Sequence, residues 1–168
     1  MIKSGDKLPL NITLWKSQPV AADGSCPIAQ KVTSGDLFAN KKVVLFALPG
    51  AFTPTCSSKH LPGFIALSDK IKSKGIQNIY CLSTDNHFVN SAWSKDQKAA
   101  PAVDIISDGN SEFTKAIGLE FDGSAFGLGK DRTQRYAMIV DNGVVGYFGL
   151  EGAGEFEKSK AETVLEHL

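Results

Sequence analysis

Residues 43–62 read Val43-Val44-Leu45-Phe46-Ala47-Leu48-Pro49-Gly50-Ala51-Phe52-Thr53-Pro54-Thr55-Cys56-Ser57-Ser58-Lys59-His60-Leu61-Pro62. The first six residues of this segment are apolar and begin with two β-branched side chains, which is typical of a buried strand. Three prolines then surround a single cysteine. Because proline fixes the backbone angle φ, the chain leaves the strand through stiff backbone. The segment predicts a buried strand, a rigid loop and a helix that together hold the sulfur of Cys56 at a defined place.

A helix is predicted to begin just before Cys56. Pro54 suits the first turn of a helix, because its missing N–H would have no partner there. Apolar residues recur at helical spacing as far as Lys74, and Gly75 ends the pattern. In the first turn, the helix dipole and the unpaired backbone N–H groups favour the thiolate of Cys56 over the thiol. The polar neighbours of this cysteine argue against its burial, and Pro62 is expected to kink the helix.

The remaining elements predict an α/β protein. Besides residues 43–48, strands are predicted over residues 12–15, 28–32, 79–82, 103–107, 136–140 and 144–148. Helices are predicted over residues 34–38, 55–74, 86–98 and 112–117, and a last helix opens with the capping box Ser159-Lys160-Ala161-Glu162. Asp141-Asn142-Gly143 predicts a tight hairpin turn. This order is typical of a thioredoxin-like fold, with a central mixed β-sheet flanked by helices and an N-terminal β-hairpin extension.

Length and composition limit the possible partners. A chain of 168 residues predicts a single domain over residues 1–168. Its 18 basic and 18 acidic residues cancel, so no binding to nucleic acid is expected. The longest apolar run is too short to span a bilayer, so no membrane partner is expected either. The first residues, Met1-Ile2-Lys3-Ser4-Gly5-Asp6, lack the apolar core of a signal peptide, which predicts a cytoplasmic location.

Eight residues carry a family resemblance. Pro49-Gly50-Ala51-Phe52-Thr53-Pro54-Thr55-Cys56 resembles the active-site signature of the peroxiredoxins, Pro-x-x-x-Thr-x-x-Cys. The wider pattern is similar to the type II, peroxiredoxin-five-like (atypical 2-Cys) subgroup and extends over essentially the whole chain. Its further segments are Gly5-Asp6-x-x-Pro9, His60-Leu61-Pro62-Gly63-Phe64, Asp85-Asn86-His87-Phe88-Val89, Gly127-Leu128-Gly129, Arg135-Tyr136-Ala137-Met138 and Ala161-Glu162-Thr163-Val164-Leu165.

The resemblance implies a thiol-dependent peroxidase that reduces hydrogen peroxide and alkyl hydroperoxides, in antioxidant defence and redox homeostasis. Cys56 would attack one peroxide oxygen and become a sulfenic acid. Thr53 would accept a hydrogen bond from the peroxide and could donate one to the sulfur. Pro49, the first residue of the signature, would belong to the same catalytic site. An arginine would stabilise the thiolate and the charge that develops as the O–O bond stretches. No cofactor and no metal are implied.

Two arginines are candidates for the role beside the sulfur. Arg135 precedes Tyr136 at the start of a predicted strand, which is the position that the family uses, so the role is assigned to Arg135. Arg132 would either contact the residues that surround the sulfur, without contacting the sulfur itself, or be solvated. The residues expected to line the pocket are Gly50, Phe52, His60 and Phe126.

His60 follows Cys56 by one helical turn, so both lie on the same face of the helix. A Cys–His hydrolase pair is one alternative, although such pairs usually come from separate elements and an orienting third group is not evident. A metal site is another, but it needs two further ligands, and Cys26 and Cys81 lack the spacing of a zinc site. A packed histidine that lines the pocket is the favoured interpretation.

Two cysteines are candidates for the resolving thiol that condenses with the sulfenic acid. Cys81 lies on a predicted buried strand, at a spacing similar to the plant branch of the type II peroxiredoxins. Cys26 lies in a predicted polar turn, a placement similar to fungal members in which the resolving thiol comes from the partner subunit. Exposure favours Cys26 of a second subunit, because exchange requires access to the sulfur. A cycle without either cysteine, closed by glutathione, glutaredoxin or thioredoxin, is the third alternative.

The family suggests a homodimer whose contact lies beside the active site, with Phe52, Phe88 and Phe126 as candidate contact residues. The expected reductant is thioredoxin or glutaredoxin with glutathione. A thiol–disulfide oxidoreductase is the competing enzyme class, but it usually needs Cys-x-x-Cys, and Thr53 stands where the first cysteine would be. Balanced charge and the lack of an apolar helical stripe offer no support for a non-enzymatic binding module.

Overall fold

The computed structural model describes residues 1–19, 21–25 and 28–168, and its centre is a seven-stranded sheet. The strand order in this sheet is β2-β1-β5-β4-β3-β8-β9. The strands are β1 (Thr13–Lys16), β2 (Gln30–Thr33), β3 (Lys42–Ala47), β4 (Asn78–Ser83), β5 (Asp104–Ser107), β6 (Glu120–Phe121), β7 (Arg132–Thr133), β8 (Tyr136–Asp141) and β9 (Val144–Leu150). The short strands β6 and β7 pair separately.

Helices cover both faces of the sheet. They are α1 (Ser34–Phe38), α2 (Leu61–Ser73), α3 (His87–Asp96), α4 (Glu112–Ala116) and α5 (Ala161–Glu166). A π-helical turn, Cys56–His60, runs directly into α2, and a 3₁₀ turn spans Ser124–Phe126. The predicted mixed sheet, flanking helices and N-terminal hairpin β1–β2 are all present. Within the described ranges, no helix is long and apolar enough to cross a membrane.

Strand β3 is central because both of its faces are buried. Val43, Leu45 and Ala47 pack on one side, together with α1 and α4. Val44 and Phe46 pack on the other side, against α2, α3 and α5. Successive side chains of a strand point to opposite faces, so a continuous apolar run is what a doubly covered strand requires.

The topology brings three chain segments to one edge of the sheet. Strands β3 and β4 are parallel, so their carboxyl ends lie side by side. Strand β8 is antiparallel to β3, and Ala47 at the end of β3 pairs with Tyr136 at the start of β8. The loop after β3, the loop after β4 and the residue before β8 therefore meet at this edge.

One local prediction is wrong. The predicted capping box does not form, because Lys160 is the N-cap of α5 and makes no side-chain cap bond. The hydroxyl of Ser159 instead donates to the buried carboxylate of Glu151. The kink at Pro62 stays a prediction. A π-helical turn precedes this proline, and the N–H of Leu61 donates to the carbonyl of Cys56. This widened turn accommodates a proline that lacks the N–H for the regular helical bond.

Candidate active site

The proline-rich loop places Cys56 in the first turn of a helix, as predicted. Pro54 and Thr55 already have helical backbone, and the N–H of Ser57 donates to the carbonyl of Thr53 at 3.0 Å. The indole N–H of Trp93, on α3, donates to the hydroxyl of Ser57 at 3.0 Å. Helix α3 therefore holds the π-helical turn against the body of the protein.

The expectation that Cys56 is poorly placed for burial is wrong. The residue is 1% exposed and belongs to the apolar cluster between the sheet and α2. Its sulfur nevertheless has a polar partner, because Nη2 of Arg135 donates to Sγ at 3.2 Å. Sequence neighbours could not show this burial, because the residues that cover Cys56 come from distant parts of the chain.

Arg135 is held from two sides. Its Nη1 donates to Nδ1 of His60 at 2.9 Å, and its guanidinium lies 5.9 Å from the ring centre of Phe156. Among the described residues, no carboxylate pairs with Arg135, whereas Arg132 pairs with Asp85 at 2.6 Å. The positive charge of Arg135 is therefore directed at the sulfur rather than neutralised by an acid.

His60 lies behind Arg135 and is fully buried. Its Nε2 lies 3.0 Å from the carbonyl oxygen of Ser159, which can only accept a hydrogen bond. The proton is therefore on Nε2, and the unprotonated Nδ1 accepts from Arg135. Because both nitrogens are engaged, the hydrolase and metal alternatives lose the free nitrogen that they require. Among the described residues, no three His, Cys, Asp or Glu side chains are grouped to hold a metal ion.

Burial, followed by the positive charge of Arg135, lowers the pKa of His60 from 6.5 to about 3. The unfolded chain binds a proton at this site below pH 6.5, whereas the folded chain does not until about pH 3. The stability that neutral His60 contributes is therefore complete above pH 6.5 and is lost as the pH falls through this window.

We expect the free energy of unfolding to decrease by up to about 1.4 kcal/mol per pH unit as the pH falls below about 6.5. Denaturant titrations between about pH 7 and about pH 5 measure this slope above the range in which most carboxylates titrate. The variant His60→Gln keeps a donor and an acceptor but cannot be protonated, so its slope should be flat. His167→Gln, at an exposed position, is the control and keeps the wild-type slope. An equal slope in wild type and His60→Gln would contradict the assignment.

Thr53 makes a different hydrogen bond from the one predicted. Its hydroxyl donates to the carbonyl of Gly50 at 2.8 Å, so its single proton is not available to the sulfur of Cys56. The oxygen keeps lone pairs that can accept a hydrogen bond from a peroxide. The predicted hydrogen bond from Thr53 to the sulfur is therefore wrong, whereas acceptance from a peroxide stays a prediction.

Asp85 and Arg132 hold the loop that carries Pro49 and Gly50, and sequence reasoning missed this pair. The carboxylate of Asp85 accepts from the N–H of Ala51 at 2.7 Å and from Nη1 of Arg132 at 2.6 Å. Nη1 of Arg132 also donates to the carbonyl of Pro49 at 3.4 Å. Asp85 lies two residues after the end of β4, which is parallel to β3, and this position is the signal that could have placed it at this loop.

A pocket of about 750 Å³ opens at this edge of the sheet. Pro49, Thr53 and Arg135 line it on the side of Cys56, and Phe126 and Phe156 line it elsewhere. Three further residues predicted to line the pocket, Gly50, Phe52 and His60, are not part of its wall. Gly50 packs beneath Thr53, Asp85 and Arg132, Phe52 points to solvent, and His60 is covered by Arg135.

The two described cysteines carry free thiols. Cys81 is fully buried on β4, in the same apolar cluster as Cys56. Burial, and then the neighbouring sulfur of Cys56, raises the pKa of Cys81 well above its ordinary value. Cys26 lies outside the described residues.

Comparison with known proteins identifies the family. A family model described as Redoxin matches residues 3–165. Peroxiredoxin-2E of Arabidopsis thaliana, a chloroplastic protein, is 46% identical over 169 residues, which cover 99% of this chain and 69% of the relative. Reduced Prx3 from Vibrio vulnificus, solved in complex with H₂O₂, is 46% identical with a TM-score of 0.87, covering 99% of both chains.

A structure from Burkholderia cenocepacia, provisionally named a thioredoxin reductase, is 42% identical with a TM-score of 0.93, covering 100% of this chain and 98% of that one. Thr53 stands where a disulfide oxidoreductase of this fold would have the first cysteine of its Cys-x-x-Cys motif. The Redoxin match, the peroxiredoxin relatives and the arginine beside Cys56 agree with one another. The chain belongs to the redoxin family and, within it, to the type II peroxiredoxins, which are thiol-dependent peroxidases.

Proposed function

We propose that Cys56 is the nucleophile of this peroxidase and that Thr53, Arg135 and Pro49 complete its catalytic site. The hydrogen bond of 3.2 Å from Arg135 to Sγ carries this proposal, because it places a cation on a sulfur within an apolar cluster. A charge-assisted hydrogen bond in such surroundings stabilises a thiolate much more than the same bond in water.

In the proposed reaction, the thiolate sulfur attacks one peroxide oxygen and the O–O bond breaks. The sulfur is oxidised to a sulfenic acid, and the other oxygen leaves as water or an alcohol after it takes up a proton. Arg135 faces the negative charge that develops along the S–O–O line, and the oxygen of Thr53 accepts a hydrogen bond from the incoming peroxide. Pro49 contributes stiff backbone, and its carbonyl is held by Arg132.

The pocket supports both small and alkyl peroxides as substrates. Its volume of about 750 Å³ is many times that of hydrogen peroxide, which occupies little more space than the roughly 30 Å³ of a water molecule. Phe121, Phe126 and Phe156 line it and offer apolar contacts to an alkyl group.

We further propose that Cys26 of a second copy resolves the sulfenic acid. Cys81 is a poor candidate in the folded protein, because a buried thiol with a raised pKa is seldom ionised and attack requires a thiolate. Three large exposed apolar side chains support a homodimer: Phe52, Phe88 and Phe126 are 56%, 50% and 75% exposed, and Phe126 lines the pocket. Phe52 also has a positive φ of 58°, an uncommon conformation for an aromatic residue.

Non-reducing electrophoresis after one equivalent of hydrogen peroxide tests the resolving step. We expect a covalent dimer that is lost in Cys56→Ser and in Cys26→Ser and is retained in Cys81→Ser. Loss of the oxidised product in Cys81→Ser instead would assign the resolving role to Cys81. If the oxidised wild-type protein stays monomeric and contains no internal disulfide, an external thiol must reduce the sulfenic acid.

The reductant that we propose is thioredoxin or glutaredoxin with glutathione, since each presents a small, reactive thiol to an oxidised sulfur. The location that we propose is the cytoplasm. Three scattered cysteines are typical of a reducing compartment, where a catalytic disulfide forms and is reduced again. The Arabidopsis thaliana relative, by contrast, is named chloroplastic.

A further inference from the structure

A buried carboxylate, Glu151, lies directly after β9 in the wall of the pocket. Glu151 is 7% exposed, and no lysine or arginine of the described residues pairs with it. Its Oε1 accepts three hydrogen bonds, from the N–H of Glu157 at 2.8 Å, the N–H of Ser159 at 2.7 Å and the hydroxyl of Ser159 at 2.8 Å. Burying a carboxylate without a cation is costly, and the three donors to Oε1 offset only part of this cost, because the buried Oε2 has no hydrogen-bond partner among the described residues.

Residues 157–159 are also fixed by other groups, and we call them the anchored segment. The hydroxyl of Tyr147 donates to the carbonyl of Lys158 at 2.6 Å, and the hydroxyl of Thr163 donates to the carbonyl of Glu157 at 2.7 Å. Gly149 on β9 lets this backbone approach closely, because a Cβ at position 149 would collide with the carbonyl of Lys158. The backbone of the anchored segment is therefore held at each of its residues.

The anchored segment presents one acceptor toward the active site, the carbonyl of Ser159. That carbonyl lies 3.0 Å from Nε2 of His60 and sets the tautomer of the ring. Nδ1 of His60 then accepts from Arg135, and Arg135 donates to Sγ of Cys56. A continuous series of hydrogen bonds thus connects Glu151 with the sulfur.

We propose that Glu151 is a positioning residue for peroxide reduction. It orients the Ser159 carbonyl, which orients His60 and through it the guanidinium of Arg135 over the sulfur. Among the described residues, the side chain of Glu151 bonds the anchored segment and neither Cys56 nor Thr53, so it acts through Ser159. The inference rests on the role proposed for Arg135, and it adds a group 16 residues further along the chain, on a separate element.

The test compares Glu151→Ala with Glu151→Gln, whose amide oxygen can still accept from the anchored segment. For Glu151→Ala, we expect the second-order rate constant with hydrogen peroxide to decrease about tenfold, with a lower thiolate fraction by ultraviolet absorbance at neutral pH. Glu151→Gln should keep most of the wild-type rate constant and most of the wild-type thiolate fraction. The control is Glu166→Gln, which removes the charge of an exposed glutamate at the end of α5, outside the anchored segment, and it should behave as wild type.

A double-mutant cycle separates positioning from a general structural role. In the Arg135→Met background, Glu151→Ala should cause no further decrease in the rate constant, because the arginine that it orients is absent. An equal decrease in both backgrounds, or a folded Glu151→Ala variant with wild-type rate and thiolate fraction, would overturn the proposal. If Arg135→Met alone kept the wild-type rate, the role of Arg135 itself would be wrong, which is a distinguishable result.

A milder variant covers the case in which Glu151→Ala fails to fold. Ser159→Ala removes one of the three hydrogen bonds to Glu151 and keeps the backbone donors. We expect a decrease of about threefold in the rate constant, again absent in the Arg135→Met background. A folded Ser159→Ala variant whose rate decreases equally without Arg135 would also overturn the proposal.

Discussion

Replacement of Cys56 by Ser is expected to abolish peroxide consumption in the presence of a dithiol. A hydroxyl at this position is not ionised near neutral pH and is a far weaker nucleophile toward peroxide oxygen than a thiolate. The substitution exchanges one sulfur for a smaller oxygen that can still accept a hydrogen bond from Arg135, so the fold should be retained. Peroxide consumption and the melting temperature, measured side by side, check both parts of this expectation.

Ser58→Ala is the matched control for this experiment. Ser58 lies two residues further along the same π-helical turn and is exposed, so its removal should leave the activity unchanged. In the wild-type protein, treatment with one equivalent of peroxide and a sulfenic-acid trap such as dimedone should modify Cys56. Residual turnover in Cys56→Ser, or trapping at another cysteine, would show that the reacting sulfur lies elsewhere.

Replacement of Arg135 by Met is expected to lower the rate constant with hydrogen peroxide by about 100-fold to 1,000-fold. This is the usual effect of removing one donor that faces developing charge in a buried site. The side chain of Met fills similar space without a charge, and no carboxylate of the described residues loses a partner. The substitution leaves Nδ1 of the buried His60 without its donor, so we expect a loss of stability of about 1–3 kcal/mol with the fold retained. Stopped-flow measurement of the oxidation step gives the rate directly.

The comparison with Arg132→Met makes the assignment specific. Removal of Arg132 leaves the mostly buried carboxylate of Asp85 without its cation, so we expect a lower melting temperature. The oxidation rate should decrease less than in Arg135→Met, because Arg132 contacts the loop at Pro49 and not the sulfur. If Arg132→Met lost more activity than Arg135→Met, the roles of the two arginines would have to be exchanged.

Much of the fold could be predicted because its signals are local. The apolar run of β3, the Asn142-Gly143 turn and the helix-opening Pro54 each depend on a few neighbouring residues, and the structure contains all three features. The capping box at Ser159 is an exception. The helix terminus and the carboxylate of Glu151 compete for the hydroxyl of Ser159. The structure shows the hydroxyl bonded to the buried carboxylate.

Parts of the site could not be predicted, because they depend on contacts between distant residues. Burial of Cys56 follows from packing between the sheet and α2, and its polar neighbours in the sequence suggested the opposite. The proton of Thr53 is directed to Gly50 by the shape of the loop. The placement of His60 behind Arg135, rather than in the pocket, depends on the Ser159 carbonyl, which lies 99 residues away in the chain.

The sequence by itself determined the elements, the family and the candidate nucleophile, since strand pattern, turn residues and the signature around Cys56 are properties of short segments. Tertiary structure decided how that sulfur is surrounded. The arginine that contacts Cys56 is 79 residues away and arrives only because β8 pairs with β3 in a definite register. Hydrogen bonds act over about 3 Å, so the partners of a side chain are settled by the packing of whole elements and not by its neighbours in the chain.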